Sequence, residues 1–401
     1  MEEGKMKRTQ YIKMLALVCI SFVFVCYSYA GDHKAEPCLP DIPAVWTKIV
    51  PGPTHFLGRD LVPICSGYPT TDPTFSFFVK GGTVNNLVVY FQGGGACWNW
   101  LTCIISPTFY PDVTDADNPA LSPYGIFDLS NPDNPFKDWS FVFIPYCTGD
   151  IHRGSNDWTY EDPANPSKTW TIHHRGFDNF LVVLKWVTKH FEEPHKIFVT
   201  GSSAGSYGAI TGFPWIQEAY PESKVSVLGD AGMGISPELF GEYTGPIWNV
   251  QLPKWIFGKH PTNSNTEVWK RIARYYPHSK LAEFTDAWDL TQIFFYDLIL
   301  QTLGLPHSGS CDSWNAQMLS TVDDKQESHN YRSYIAAGTI HTILGRPEFY
   351  TENSAGISFL DWLDAMMSDH AGTHGHGHGH GCAPWKNVEC IECGAPSSCP
   401  Y

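Results

Sequence analysis

The chain has 401 residues, of which 43% are hydrophobic and 17% are charged, with a formal net charge of −15. This composition fits a globular protein with a full hydrophobic core and excludes an intrinsically disordered chain. The acidic balance makes nucleic acid a poor partner, and an acidic substrate would need a local basic patch to be attracted.

The first thirty residues have the features of a secretory signal peptide. Basic residues precede an apolar run from Met14 to Tyr27, and small residues end the segment at Ala30. The run is too short to span a bilayer, and the chain has no other apolar stretch of about 18 residues. We therefore expect cleavage near Ala30, a secreted, periplasmic or extracellular protein, and no stable membrane insertion.

The cysteines agree with export. Two of the 12 fall within the predicted signal peptide, which leaves an even number for an oxidising compartment. We expect several disulfides, with Cys97 and Cys103 closing a short loop. In the Cys-rich tail, residues 382–401, Cys390 and Cys393 also have the spacing of a zinc or redox pair, but disulfides are the favoured interpretation.

From about residue 65 onward, short β-branched and aromatic runs alternate with helical patterns. This alternation predicts an α/β fold with a mostly parallel sheet, helices on both faces and long loop insertions. Apolar residues at helical spacing predict an amphipathic helix over residues 177–191. The predicted buried strands cover residues 87–92, 141–145, 196–200 and 225–229.

Two segments are predicted to be long loops over the edge of the sheet. Residues 107–135 and residues 158–166 are dense in Pro, Asp and Asn. Residues 236–306 show helical segments and no clear strand, which indicates a cap. Loops and caps of this kind often build a binding cleft.

A nucleophile motif follows the third predicted strand. Gly201-Ser202-Ser203-Ala204-Gly205 has the G-x-S-x-G pattern between a strand and a small-residue helix. A serine on such a turn has a strained backbone, and glycines two residues to either side let the strand and helix approach each other. We predict Ser203 as the nucleophile of an α/β-hydrolase-like fold. A Gly-rich turn with a capping serine is the alternative.

A Gly-rich loop follows the first predicted strand. Acyl transfer needs N–H donors for the developing oxyanion, one from the residue after the nucleophile and one from such a loop. We predict that Ala204 supplies the first donor and that the Gly93–Gly95 loop supplies the second. An ordinary turn at the exit of the strand is the alternative for the glycines.

A serine nucleophile also needs a histidine base and a carboxylate, in the chain order Ser, acid, His in this fold. The residue pattern alone does not choose among the downstream candidates. These are Asp230, Asp289 and Asp297 for the acid, and His307, His329 and His341 for the base.

Five ordered segments together resemble the pectin acetylesterase family, which includes the Notum-type protein deacylases. The resemblance extends from about residue 65 to residue 344, and the segments are residues 93–99, 145–150, 201–208, 229–232 and 287–292.

The resemblance implies a catalytic role for each matching residue. Ser203 would be the nucleophile, Asp289 of the Asp-x-x-Gln motif the triad acid, and His341 the base. In the oxyanion hole, Gly94 and Ala204 would donate to the oxyanion and Gly93 would shape the loop. Asp230 stays the alternative acid, since hydrolases can place the carboxylate after this strand.

The resemblance also implies a secreted serine carboxylesterase that removes O-acetyl groups from a pectin-like polysaccharide through an acyl-serine intermediate, without a cofactor. A Notum-type deacylase that removes a fatty acyl group from a protein is the alternative. Gly95 and Ala96 stand where Notum-type enzymes carry bulky aromatics, which favours the acetylesterase. We further predict that Trp98 stacks on a sugar and that His152 contacts substrate; packing and loop capping are the respective alternatives.

Residues 373–381 alternate His and Gly and cannot pack a core. His374, His376, His378 and His380 can capture metal ions loosely, without the fixed geometry of a catalytic metal site. A second alternative function is therefore a non-catalytic metal-binding protein on a hydrolase scaffold. The predicted organisation is a signal peptide over residues 1–30 and one hydrolase domain over residues 31–401, with residues 373–381 as an insertion.

Overall fold

The computed structural model describes residues 39–258, 262–368, 385–390 and 393–395. The predicted signal peptide and the His/Gly tract lie outside these residues. Within them, no helix is long and apolar enough to cross a membrane.

The described residues form 14 strands, and eight of these make up a central sheet. The strands in chain order are β1 (Thr47–Ile49), β2 (Thr54–Phe56), β3 (Arg59–Leu61), β4 (Phe77–Lys80), β5 (Asn86–Phe91), β6 (Ser140–Ile144), β7 (Asn156–Asp162), β8 (Asn165–His174), β9 (Lys196–Ser202), β10 (Lys224–Asp230), β11 (Leu281–Asp286), β12 (Tyr331–Ala336), β13 (Asn353–Ser354) and β14 (Ile357–Ser358). The sheet has the order β1-β4-β6-β5-β9-β10-β11-β12. The last six strands in this order are parallel to one another. Near the other edge, β4 is antiparallel to both of its neighbours, β1 and β6.

All four predicted strands are confirmed, as β5, β6, β9 and β10. Each is almost entirely buried, which explains why it appears in the sequence as a short apolar run. The predicted α/β class with a mostly parallel sheet is also confirmed.

Helices connect these strands and pack on the sheet. They are α1 (Gly176–His190), α2 (Ala204–Ala219), α3 (Glu238–Trp248), α4 (Lys254–Phe257), α5 (Asn265–Tyr275), α6 (Leu290–Thr302), α7 (Ser310–Gln326) and α8 (Phe359–Met367). Helix α1 confirms the predicted amphipathic helix. Helix α2 contacts β5, β9 and β10, and its first residue, Ala204, lies just past the carboxyl end of the central strand β9.

Two predictions are wrong because they missed strands, one for residues 236–306 and one for residues 158–166. Residues 236–306 contain β11, which is fully buried although it carries Glu283. Because β11 carries this acidic residue, it does not appear in the sequence as an apolar run. In the fold, the Glu283 carboxylate forms a buried ion pair with Lys325. Residues 158–166 belong to the hairpin of β7 and β8. Pro163 lies in the turn between the two strands, and such turn residues made the whole segment resemble a loop in the sequence.

Disulfides tie the loops near the sheet. Cys97 is bonded to Cys103, as predicted, and Cys65 is bonded to Cys147. Cys390 and Cys393 also form a disulfide, so their spacing reflects a covalent link rather than a zinc pair. The expectation of several disulfides is confirmed.

The C-terminal segment lies along β12, an outer strand of the sheet. Ile335 donates a backbone hydrogen bond to Val388 O, and Val388 donates one to Ser333 O, at 2.9 and 2.8 Å. Residues 385–390 therefore partly cover this edge.

Candidate active site

Ser203 lies on a tight turn between β9 and α2. Its backbone has φ 56° and ψ −122°, a conformation that non-glycine residues adopt only under strain. The Ser203 N–H donates to Asp230 O at 2.7 Å, which helps to hold the turn. Gly205 lies so close to the backbone oxygen of Phe91 that no larger residue fits there. The elbow geometry expected from the G-x-S-x-G pattern is therefore present.

The Gly93–Gly95 loop lies against this turn. A Cβ on Gly93 would be 2.7 Å from Ser202 O and 3.0 Å from Ser203 Cβ. Two backbone hydrogen bonds hold the loop, one from Ala96 N to Thr108 O and one from Tyr110 N to Gly94 O. Gly94 takes part only through its carbonyl oxygen, so neither bond uses its N–H group.

Ala204 is the first residue of α2, so its N–H has no partner within the helix. The positive end of the helix dipole also lies at this residue. Both predicted groups of oxyanion donors thus lie beside Ser203.

His341 and Asp289 are in direct contact. The His341 Nδ1 atom lies 2.8 Å from Asp289 Oδ2 and 3.0 Å from Asp289 Oδ1. Asp289 is fully buried and also caps α6, accepting hydrogen bonds from the N–H groups of Thr291 and Gln292 at 3.0 Å. With a proton on Nδ1 donated to this carboxylate, Nε2 presents a lone pair.

The Nε2 atom of His341 is buried and has no hydrogen-bond partner among the described residues. His341 and Ser203 line the same cavity. An unpaired imidazole nitrogen in the cavity of an elbow serine is the arrangement that a general base requires.

Gln292 supports the acid, a contact that the sequence analysis did not identify. Its Nε2 donates to Asp289 Oδ2 at 2.9 Å and to Thr285 Oγ1 at 3.0 Å, while its Oε1 accepts from Met233 N at 2.8 Å. The three-residue helical spacing from Asp289 was the available signal, since such residues share a helix face.

Asp230, the alternative acid, contacts the backbone of the His341 loop instead of the imidazole. Its carboxylate accepts hydrogen bonds from Ile343 N and Leu344 N at 3.0 Å and from the Ser202 hydroxyl. Burial raises the pKa of Asp230 to about 6. Of the candidate acids, Asp289 is thus the one that contacts the His341 ring.

Asp286 holds the other side of the same loop. It accepts a hydrogen bond from Ile340 N at 2.7 Å, and burial raises its pKa to about 7. Two buried carboxyl groups therefore bind the backbone on both sides of His341.

The cavity has a volume of about 150 Å³ and a wall that is partly aromatic. Gly95 and Ala96 lie in its lining and leave room there, as their small size suggests. Aromatic rings from other elements nevertheless supply an apolar wall. They include Trp98, Phe240, Trp248, Phe295 and Tyr296.

Trp98 lies in the cavity wall. It is 1% exposed, its Nε1 donates to Thr302 Oγ1 at 3.0 Å, and its ring meets Phe240 edge to face. Such packing restricts the face of the ring available to a sugar, so the stacking role stays a prediction.

His152 lies outside the cavity lining. Its ring is buried against Phe91 and Tyr146, and Nε2 lies 2.8 Å from Gln92 O. Burial lowers the pKa of His152 to about 4, so the neutral ring donates to that carbonyl. This position argues against direct contact with substrate.

One cluster with metal-ligand chemistry occurs among the described residues, comprising Cys97, Cys103 and His174. The two sulfur atoms are joined in a disulfide and His174 is hydrogen-bonded to Thr148 O and Tyr160, so the cluster does not fit a metal ion. The histidines of residues 373–381 lie outside the described residues, and their metal binding stays a prediction.

The sheet and the serine elbow define an α/β-hydrolase-like protein. Residues 71–240 match the family model for pectinacetylesterase, which confirms the predicted resemblance. The match includes the Gly-rich loop and Ser203 and ends before Asp289 and His341.

Two curated relatives agree with the family match. The chain is 27% identical over 156 residues to pectin acetylesterase 11 of Arabidopsis thaliana, covering 38% of each protein. It is 25% identical over 142 residues to the palmitoleoyl-protein carboxylesterase NOTUM of Schmidtea mediterranea, covering 33% of this chain and 25% of that protein. The matches thus span well under half the length of either relative.

Proposed function

We propose that this protein is a serine carboxylesterase that removes O-acetyl groups from a pectin-like polysaccharide. The observation that carries the proposal is the cavity shared by Ser203 on its strained elbow and His341 bonded to Asp289. The pectinacetylesterase match and the pectin acetylesterase relative support the esterase class and the substrate.

The residues can perform acyl transfer in two steps. In the first, Ser203 Oγ attacks the ester carbonyl while His341 Nε2 takes its proton, and the alkoxide leaves as an alcohol with that proton. In the second, His341 takes a proton from water, the resulting hydroxide attacks the acyl-serine, and Ser203 recovers the proton as the acid leaves. Asp289 holds the imidazole tautomer and stabilises its cationic form.

The oxyanion formed in each step needs preorganised donors. The N–H groups of Gly94 and Ala204 beside Ser203 are the candidates. Gly93 shapes the loop, since its close approach to Ser203 excludes a side chain.

Export supports a substrate outside the cell. The predicted signal peptide over residues 1–30 and the disulfides among the described residues are both consistent with secretion into an oxidising compartment.

A lipid deacylase is the second candidate. The aromatic cavity wall is the observation that favours it, because apolar rings beside a nucleophilic serine suit a longer acyl chain. The palmitoleoyl-protein carboxylesterase relative supports the same alternative.

Hydrolysis of p-nitrophenyl esters of increasing acyl length separates the two candidates. Acetate release from acetylated pectin is measured alongside, with Ser203→Ala as the control. Preference for acetyl, with loss of both activities in the variant, is expected. Preference for long chains would favour the deacylase, and full activity of Ser203→Ala would contradict the mechanism.

A further inference from the structure

Arg153 is a buried cation whose side-chain partners among the described residues are all neutral. Its side chain is almost fully enclosed, with the residue 8% exposed. Nη2 donates to Asn265 Oδ1 at 2.9 Å, Nε donates to Tyr207 O at 3.4 Å, and the guanidinium lies 5.1 Å from the centre of the Tyr207 ring. Within the part of the chain that the structure describes, Arg153 forms no salt bridge.

Lys325, another deeply buried cation, has a carboxylate partner. Lys325 is 1% exposed and lies 2.6 Å from the Glu283 carboxylate. Burial of an unpaired charge is costly, and proteins usually provide a carboxylate in this way. Burial lowers the pKa of Arg153 to about 10, so the group is still cationic at neutral pH.

Arg153 lies in the wall of the cavity that contains Ser203. Tyr207, over which its guanidinium lies, is one helical turn beyond Ser203 on α2, a rise of about 6 Å. Because Arg153 and Ser203 line the same cavity, a substrate bound there can contact both side chains. The Nη1 atom of Arg153 makes no hydrogen bond to the described residues and is available to a ligand.

We propose that Arg153 is a specificity residue that binds a carboxylate of the acidic polysaccharide in the cavity beside Ser203. The inference rests on the proposed esterase function. A guanidinium matches the planar geometry of a carboxylate. It also supplies the local positive charge that an acidic chain, with a net charge of −15, needs in order to hold an acidic polymer.

The test compares Arg153→Met and Arg153→Lys with Arg274→Met. Arg274 is exposed on α5, so its variant controls for the loss of one positive charge. Each protein is assayed on acetylated polygalacturonate and on the same polymer with its carboxyl groups methyl-esterified. For Arg153→Met we expect KM to rise roughly 10- to 100-fold more on the acidic polymer than on the neutral one. Arg153→Lys should be intermediate, and Arg274→Met should match the wild type.

Equal effects of Arg153→Met on the two polymers would show that Arg153 only links the loop to α5, and would overturn the proposal. Unchanged KM values on both polymers would overturn it as well.

A binding measurement keeps the proposal testable if Arg153→Met does not fold, or if the esterase function itself fails. Ser203→Ala is titrated by calorimetry with unacetylated oligogalacturonate and with its methyl ester. The acid should bind at least tenfold more tightly, and rising salt should weaken its binding. Equal affinity for the two ligands would refute the role of Arg153. Absence of esterase activity in the wild type would instead refute the proposed function.

Discussion

Asp289→Asn is the sharpest test of the proposed triad. The carboxylate accepts four hydrogen bonds, from His341 Nδ1, from the N–H groups of Thr291 and Gln292, and from Gln292 Nε2. The amide keeps one oxygen, which can still cap α6. Its NH₂ group would face the Nδ1 atom of His341 and favour the tautomer that has the proton on Nε2.

With Nε2 protonated, His341 cannot accept the proton of Ser203. We expect kcat to fall about ten-thousand-fold, which corresponds to about 5 kcal/mol of lost transition-state stabilisation. Stability should fall by only about 1 kcal/mol, since the helix cap is retained. The assay is kcat on p-nitrophenyl acetate, with thermal unfolding of the same samples.

Asp230→Asn is the matched control. Asp230 binds the backbone at Ile343 and Leu344 and does not contact the imidazole, so its replacement should cost about 1–3 kcal/mol of stability. The reasoning is refuted if Asp289→Asn keeps kcat within tenfold of the wild type while Asp230→Asn abolishes activity in a folded protein. Asp230 would then be the acid.

Three further predictions concern the surroundings of the triad. A Cβ on Gly94, where φ is 151°, would lie 2.7 Å from a tyrosine ring, so Gly94→Ala should displace the loop and lower kcat/KM roughly 100-fold in steady-state assays. Replacing Cys97 and Cys103 together by serine should lower the free energy of unfolding by about 2 kcal/mol, measured by urea titration. Burial raises the pKa of Asp286 from its ordinary value of 3.8 to about 7, so the native state binds this proton more tightly than the unfolded chain does. Its contribution to stability should fall as pH rises from about 4 through 7, and Asp286→Asn should flatten that decline in unfolding curves.

Each of these predictions can fail. Unchanged kcat/KM in Gly94→Ala would place the oxyanion donors elsewhere. Stability of the serine double variant equal to the wild type would show that the loop is held by its other contacts. An unchanged pH slope in Asp286→Asn would assign that slope to other groups.

Much of the fold could be predicted because central parallel strands are apolar on both faces. Strands β5, β6, β9 and β10 appear in the sequence as short hydrophobic runs. Strand β11 contains Glu283, whose charge is compensated by a residue 42 positions away, so a local pattern could not reveal it. The hairpin of β7 and β8 lies outside the central sheet and lacks that apolar signal.

The residues of the candidate site also differ in whether a local sequence pattern reveals them. Ser203 and the Gly93–Gly95 loop are defined by local backbone requirements, which leave a motif in the sequence. Asp289 and His341 meet only through tertiary structure, so the residue pattern left several acids and bases open and the resemblance selected among them. The aromatic wall and Arg153 come from distant segments, and no local signal marks them.

The segment around Val388 has a consequence for self-association. Strand β12, which precedes the His341 loop, would otherwise present unpaired N–H and C=O groups along one side, a surface that can recruit a strand from another molecule. A chain that ends before residue 385 should therefore form concentration-dependent aggregates by intermolecular strand pairing, measurable by light scattering. If this prediction holds, residues 385–390 shield the β12 edge of the sheet from other copies of the chain.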